Sequence, residues 1–252
     1  MPQQFFAVFI ALTLFGLVPA GPQPVVDQAR AKEALSHYRA GDEFLHAEQF
    51  EKAAAEFSTA IKLDPLLTLA HYGLGQSYMG MKSYRQAIDA FIGCRDAYRQ
   101  ISAMQMSDKI SADQRRDDEV RELKDSLRRL ESGQIKGNNR ATILRIESQI
   151  REVENSKQRG MQSFDAPAGV FLALGSAYFR SGSLEDAERE YRQAIKVNSK
   201  LGEAHNNLAV VCMMTNRFGE AEEEIKLAEK AGYRVNPQFK EDLKNRKKQG
   251  TE

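Results

Sequence analysis

Three of the four histidines stand at equivalent places in the chain, and they are the first candidates for a metal site. His71 follows His37 by 34 residues, and His205 comes a further 134 residues on. Imidazole is a common zinc ligand, but the ligands of one ion must converge on it. Because the three histidines occupy the same place in a repeated pattern, each belongs to a different structural unit. The sequence therefore predicts no metal site.

A cysteine nucleophile is the second chemistry to consider. Cys212 follows His205 by seven residues, and a thiol next to an imidazole can be activated. Seven residues of helix separate the two by about 10 Å along the axis, which is too far to share a proton. Cys94 is a whole structural unit away from Cys212, so both cysteines are expected to be buried and unbridged. With no Walker loop, dinucleotide-binding glycine motif or nucleophile elbow either, we predict no catalytic residue and no cofactor.

The composition, with 42% apolar and 28% charged residues, is that of a soluble globular protein. The 36 Lys and Arg residues balance 35 Asp and Glu, so the net charge does not favour a nucleic acid or an anionic membrane as partner. The plentiful residues, Ala, Leu, Glu, Lys, Arg and Gln, are helix formers. Any functional side chains are therefore expected to be positioned by helices.

A period of 34 residues organises most of the chain into four units. Laying residues 34–67 over 68–101 aligns Gly41 with Gly75, and the same template returns twice in 168–234. Within each unit, two amphipathic stretches flank a turn-prone break, which predicts a helix-turn-helix. Because one helix pair cannot bury its apolar face alone, the units are expected to stack into a linear array.

The recurring small residues predict where the two helices of a unit meet. Glycine in a helix interior costs roughly 1 kcal/mol relative to alanine, so its recurrence there needs a packing reason. Close approach of two helices supplies that reason. We expect Gly41 to lie against Ala53 and Gly175 against Ala187.

These residues resemble the tetratricopeptide repeat family, whose pattern is W-x2-L-G-x2-Y followed by A-x3-F, A and P. The resemblance implies antiparallel helix pairs wound into a right-handed superhelix, whose concave groove, lined by the first helix of each pair, receives a peptide or a partner helix. Two features depart from the pattern: the closing proline occurs only as Pro65, and the tryptophan place holds other residues. The third unit shows the match best, with Leu174, Gly175, Tyr178, Leu184, Ala187, Tyr191 and Ala194; the tryptophan place holds His37, His71, Phe171 and His205.

The family's groove-facing places, carried onto this chain, are the predicted partner-binding residues. They include aromatic residues and methionines and few charges, which favours an apolar or amphipathic segment of a protein or peptide partner. The lysines with which chaperone-binding members grip a terminal carboxylate are missing. Packing between repeats is the alternative role for each residue. The predicted groove residues are Tyr38, Asp42, Leu45, Tyr72, Gln76, Met79, Leu172, Ser176, Phe179, Asn206, Val210 and Met213.

Residues 102–167 lack the template and carry heptads, which predict an antiparallel helical hairpin. Its many Arg and Glu residues are expected to form a solvated surface, since both signs are evenly mixed. Two arrangements stay open: a hairpin that projects from the array, or two decayed repeats stacked in line with it. The apolar positions of each arm are spaced three, four, three: Val120, Leu123, Leu127 and Leu130, then Ile143, Ile146, Ile150 and Val153.

The N-terminus resembles an export signal. Residues 5–18 form an apolar run, closed by compact residues up to Ala20, after which a signal peptidase would cut. The run of about fourteen residues is shorter than the roughly twenty that span a bilayer, so a retained anchor is the less favoured alternative. No Lys or Arg precedes the run, which departs from the signal pattern. We expect an exported protein, periplasmic or secreted, with no permanent membrane span.

The sequence thus predicts an all-α solenoid of about four tetratricopeptide-like repeats. The predicted function is a non-enzymatic protein-protein interaction scaffold. The alternatives are an assembly subunit that self-associates through the heptads of the hairpin, and an enzyme whose site a partner completes. The predicted segments are a signal peptide (1–20), a lead-in (21–33), repeats 1 and 2 (34–101), the hairpin insert (102–167), repeats 3 and 4 (168–234) and a C-terminal capping helix with its tail (235–252).

Overall fold

A computed structural model describes residues 28–103, 109–132, 140–158 and 166–249, so the predicted signal peptide lies outside the described residues. Within these ranges the chain is helical, and none of its helices is long and apolar enough to cross a membrane. The helices are α1 (Gln28–His46), α2 (Phe50–Leu63), α3 (Thr68–Gly80), α4 (Tyr84–Ala103), α5 (Lys109–Glu131), α6 (Arg140–Gln158), α7 (Ala168–Arg180), α8 (Leu184–Val197), α9 (Gly202–Met214), α10 (Phe218–Lys230) and α11 (Pro237–Gln249).

Four helix pairs form the array: α1 with α2, α3 with α4, α7 with α8, and α9 with α10. Successive pairs pack through α2 on α3, α4 on α7, and α8 on α9. This arrangement confirms the predicted all-α solenoid of helix-turn-helix units. The direct contact of α4 with α7 makes the array continuous across the insert. The in-line alternative, in which decayed repeats separate the second and third units, is therefore wrong.

The turn inside each pair has the same backbone in all four units. One residue adopts a left-handed conformation there, with φ of 56° at Glu48, 58° at Lys82, 87° at Gly182 and 60° at Asn216. The next amide donates to the carbonyl five residues back, as in the 2.8 Å bond from Ser83 N to Tyr78 O. This hydrogen bond satisfies a carbonyl that the helix end would leave free. The 34-residue period therefore repeats the turn geometry as well as the packing.

Each recurring glycine makes room for an aromatic ring. A Cβ atom on Gly75 would lie 2.5 Å from the ring of Phe91, and one on Gly175 would lie 2.7 Å from the ring of Tyr191. The backbone oxygen of Ala187 would lie farther from that added Cβ atom of Gly175, at 3.3 Å. The expected close approach of the two helices is present, but the principal contact is the aromatic ring of the second helix and not the predicted alanine.

The C-terminal helix α11 packs on α10 and covers the end of the array. Leu243 is buried, and Phe239 packs against the same apolar cluster. The Oδ1 atom of Asn236 accepts a 2.9 Å hydrogen bond from the backbone N of Gln238, so this asparagine caps the helix that begins at Pro237. The outer face of α11 is basic and exposed, as expected for the polar end of a repeat array.

The insert forms the predicted helix pair, because α5 packs along α6. Its apolar seam is largely buried, and Leu123, Leu130, Ile146 and Ile150 share one cluster with Tyr38 of α1 and with residues of α2 and α3. The hairpin therefore lies against the first two repeats and does not project into solvent. The structure thus has neither a projecting hairpin nor repeats stacked in line. The hairpin is folded back onto its own array.

Candidate partner-binding groove

The predicted groove residues lie on the first helix of each pair, and the structure divides them into two groups. The N-terminal groove half comprises Tyr38, Asp42 and Leu45 on α1 with Tyr72, Gln76 and Met79 on α3. The C-terminal groove half comprises Leu172, Ser176 and Phe179 on α7 with Asn206, Val210 and Met213 on α9.

The hairpin covers the N-terminal groove half. Five of its six residues, all except Met79, line a pocket of about 320 Å³ whose opposite wall comes from α5 and α6. Tyr38 and Asp42 are buried as a result. Met79 packs elsewhere, against the cluster of Phe91 and Leu174 between the second and third pairs. The hairpin residues that face the predicted groove across the pocket are Leu123, Ser126, Thr142, Arg145, Ile146 and Gln149.

A stripe of polar side chains on α5 makes most of the polar contacts with the array. Four of its members each stand one position before a residue of the apolar seam, and the fifth lies one helical turn before the first of these four. We call these five residues the polar stripe. Because they repeat at the same three-four spacing as the seam, they form a second continuous face of the helix. The expectation that the charges of this helix are solvated is wrong for this face. The polar stripe consists of Arg115, Glu119, Glu122, Ser126 and Arg129.

Two ion pairs join the polar stripe to α1. Glu122 accepts two hydrogen bonds from the guanidinium of Arg39, at 3.0 Å from Nε and 2.5 Å from Nη2, and its side chain is only 4% exposed. Arg129 Nη2 donates to Asp42 Oδ2 at 2.9 Å. The pKa of Asp42 is raised, because burial outweighs the opposing effects of His46 and Arg129. In both pairs the carboxylate is largely desolvated, whereas the side chains of Arg39 and Arg129 remain 51% and 28% exposed.

A third ion pair and a buried carboxyl hold the other end of the stripe. Arg115 Nη1 donates to Asp64 Oδ2 at 2.7 Å. Glu119 is buried and accepts a hydrogen bond from the hydroxyl of Tyr98 on α4. Burial raises the pKa of Glu119 to about 7, although hydrogen bonds from Tyr98 and Thr68 and the charge of Arg116 lower it. The docked hairpin therefore buries a carboxyl group at its contact with α4.

The second arm of the hairpin reaches the third repeat. Glu152 on α6 accepts a 2.8 Å hydrogen bond from the backbone N of Ala168, the first residue of α7, and a 3.3 Å bond from Asn198 Nδ2. A carboxylate at a helix N-terminus satisfies a free amide and interacts favourably with the helix dipole. Arg145 on the same arm faces Tyr72 and Glu203. The hairpin is thus attached along the inner side of the array.

The C-terminal groove half is not covered by the hairpin in the same way. Leu172 is buried in the core, and Ser176 Oγ donates to the carbonyl of Leu172 at 2.9 Å. These two side chains serve packing within the array. Phe179, Val210 and Met213 are partly exposed, and the neighbouring Met214 is 47% exposed. We call these last four residues the open apolar patch.

The histidines of the template serve the packing of their own units. His37 Nδ1 and Glu56 Oε2 lie 2.6 Å apart, and the equivalent atoms of His205 and Glu224 lie at the same distance. His71 Nε2 lies 3.0 Å from the carbonyl oxygen of Pro65. In the described ranges, no group of three His, Cys, Asp or Glu side chains is arranged to hold a metal ion.

Both cysteines are free and buried, as predicted. Cys94 Sγ donates to the carbonyl of Thr68 at 3.3 Å. Burial raises the pKa of the Cys94 thiol well above its ordinary value. A buried thiol in its protonated form is a poor nucleophile.

The four stacked helix pairs define a helical-repeat protein. Comparison with known proteins indicates which type of repeat it contains. Tetratricopeptide repeat family models match residues 41–82 and 172–233, on both sides of the hairpin. These matches support the resemblance to the tetratricopeptide repeat family. Proteins of this family generally mediate protein-protein interactions.

Three relatives illustrate the similarity. An uncharacterized protein of Haemophilus influenzae is 36% identical over 59 residues, which are 23% of this chain and 33% of that protein. The Hsp70-Hsp90 organising protein of Plasmodium falciparum is 24% identical over 179 residues, 64% of this chain and 29% of that protein. The chain thus spans a third or less of these curated relatives. The solved structure of Pseudomonas aeruginosa pilF shows 13% identity and a TM-score of 0.34, covering 82% of this chain and 79% of that one.

Proposed function

We propose that this protein is a non-enzymatic scaffold that binds a partner protein through the C-terminal groove half. The observation that carries the proposal is the division of the groove. The hairpin covers the N-terminal half, whereas the open apolar patch remains accessible on α7 and α9. Concave surfaces with accessible Met and aromatic side chains suit apolar side chains of a partner, because methionine adapts to irregular shapes.

The chemistry of the open apolar patch favours an amphipathic helix or an apolar extended segment as the partner. Its side chains Phe179, Val210 and Met213 offer area without a charge, so affinity would come from buried apolar surface. The Plasmodium falciparum relative is named as an organiser of Hsp70 and Hsp90, which supports a partner-binding role for the repeats without identifying the partner.

The alternative of an assembly subunit is less favoured by the described part of the hairpin. The heptad seam that would drive self-association is largely buried inside the chain, between α5, α6 and the first two repeats. Leu144 is the large apolar side chain of the described hairpin that remains well exposed, at 56%. A single exposed leucine is ordinary for a protein surface and does not make an interface.

We also propose that the protein acts outside the cytoplasm. The support is the apolar run of residues 5–18 and the compact residues that follow it up to Ala20. N-terminal sequencing of the protein purified from its native source should find a mature chain that begins at Gly21. A chain that retains residues 1–20 would contradict this proposal.

Site-specific photo-crosslinking tests the binding proposal. A photoreactive residue in place of Met213 should trap a partner in the native extract, and the same residue in place of Leu227 should not. Leu227 is a suitable control, because it is an apolar side chain of similar size, 43% exposed, on the second helix of the same repeat. With the purified partner, Met213→Glu should weaken binding at least tenfold, whereas Leu227→Glu should not. Equal effects at the two positions would contradict a groove site.

A further inference from the structure

The hairpin contacts the array through side chains, both apolar and charged, more than through close approach of the helix backbones. Helices of one repeat approach closely enough for a ring to lie on a glycine, as Phe91 does on Gly75. The main backbone neighbour of α5, by contrast, is α6. Helix α5 reaches the repeats through side chains, which are the apolar Leu123 and Leu130 and the ion-pairing residues of the polar stripe. An element attached in this way can separate from its support as a unit while the repeats keep their own packing.

The docked interface also buries polar and charged groups. Arg116 Nε and Arg129 Nε of α5 are buried without a hydrogen-bond partner among the described residues, and so are Arg95 Nε and Glu190 Oε2 within the array. Glu119 and Glu122 are buried as well. Buried ion pairs are often no more stabilising than apolar side chains of the same volume, since both charges must lose their hydration. What such pairs provide is selectivity for a partner with matching charges.

The fit of the hairpin into the groove is incomplete. The pocket of about 320 Å³ remains between the two surfaces, and it is lined by Gln76 from the groove and by Arg145 and Gln149 from α6. Arg145 faces the hydroxyl of Tyr72 and the carboxylate of Glu203 across this space. A helix with a larger side chain at this place would fill the space that the hairpin leaves.

We propose that the N-terminal groove half is itself a binding surface for an amphipathic helix of a partner, and that α5 occupies it as a tethered competitor. The partner helix would carry an acidic, a small polar and a basic residue at positions i, i+4 and i+7, as Glu122, Ser126 and Arg129 do. Arg39 would bind the acidic residue and Asp42 the basic one. This inference rests on the proposed scaffold function and names the chemistry that the covered half of the groove recognises.

A fluorescent peptide with the sequence of residues 113–132 tests the proposal with the full chain. The wild-type protein should bind it weakly, because the tethered α5 holds the surface. The double variant Glu122→Arg/Arg129→Glu should bind it at least tenfold more tightly, since its own hairpin now faces Arg39 and Asp42 with like charges while the groove is unchanged. A peptide that carries the same two reversals should not bind this variant.

A matched control reverses an exposed pair on the same helix. The side chains of Asp118 and Arg121 are 48% and 65% exposed and pair with each other at i,i+3. Asp118→Arg/Arg121→Glu should therefore leave peptide binding at the wild-type level. Faster amide exchange in α5 of the docking variant, and not of this control, shows that the hairpin has separated. A separated hairpin without tighter peptide binding overturns the proposal, and so does a hairpin that stays protected.

A change on the groove provides a second route if the hairpin variant does not fold. Arg39 is half exposed, so Arg39→Glu is expected to be tolerated. This variant should bind a Glu122→Arg peptide more tightly than the wild-type peptide, and the reverse preference would overturn the proposal. The crosslink at Met213 does not use the peptide. A failure of peptide binding with the crosslink intact therefore refutes this inference alone, whereas a lost crosslink refutes the proposed function.

Discussion

The two halves of the groove are built from the same repeat, yet they present different surfaces. In the N-terminal half, Tyr38 and Asp42 are buried under the hairpin, whereas Asn206 and Val210, at the equivalent positions of the last repeat, are partly exposed. The helix pairs, the left-handed turns and the glycine contacts are alike in both halves. The comparison shows that a repeat template determines the helix pairs, while an insert outside the template determines which part of the predicted groove is covered.

The largest expected effect concerns the apolar contact between the hairpin and the first repeats. Leu123→Ala should lower the free energy of unfolding by about 2–5 kcal/mol, because it removes a buried side chain and leaves a cavity. Leu144→Ala on the other arm should change it by less than about 0.5 kcal/mol, since Leu144 is exposed. Urea denaturation measures both. Equal effects would mean that the hairpin does not cover the N-terminal half in solution.

The pH dependence of the covered half follows from Glu119. The pKa of Glu119 rises from 4.5 to about 7 when the hairpin is docked. Between these two pH values, the docked state retains a proton that the free state loses. The stabilisation is complete below about pH 4.5 and is lost as the pH rises to about 7, by up to about 3 kcal/mol. Amide exchange of α5 should therefore accelerate over this range.

Glu119→Gln isolates this effect from other titrating groups. The carboxyl faces Tyr98 and Cys94 of α4 and Arg116 of its own helix, and the substitution leaves all three in place. Exchange of α5 in the variant should lose most of its pH dependence between pH 4.5 and 7, after correction for the intrinsic exchange rate. A pH profile identical to that of the wild type would show that Glu119 is not buried in the docked state.

The helix pairs themselves are expected to respond alike in the two halves. Gly75→Leu and Gly175→Leu should each cost about 1–3 kcal/mol, because the new side chain overlaps the ring of Phe91 or Tyr191. Thermal denaturation of the two variants measures the loss. An unchanged melting temperature for either variant would contradict the close contact of glycine and ring in that half.

The smallest effect is expected where the hairpin touches the third repeat. Glu152→Gln should cost about 0.5–1 kcal/mol, since it removes the negative charge at the N-terminus of α7 but keeps an acceptor for Ala168 N. Glu154→Gln is the control, because Glu154 pairs with Lys124 on the exposed surface of the hairpin. A loss for Glu154→Gln equal to that for Glu152→Gln would argue against the contact with α7.

Much of the array could be predicted because its determinants are local or periodic. The 34-residue template predicts the four helix pairs, and the three-four-three spacing of Leu123 and Ile146 with their neighbours predicts the paired arms of the hairpin. The polar stripe carried a signal too, since its residues repeat at the spacing of the seam. That signal is ambiguous, because charged residues at heptad spacing are usual on a solvated helix face.

The sequence by itself determined the helices, the turns and the repeat seams, because each depends on residues within one unit of 34. Only the tertiary structure decided where the hairpin lies. Arg39 and Glu122 form a hydrogen bond although they are 83 residues apart in the chain. The burial of Glu122 therefore depends on a residue far from it in sequence. A charged side chain is stable in water or against a matching charge, and its own sequence neighbourhood does not distinguish the two. The availability of each groove half is therefore a property of the folded chain.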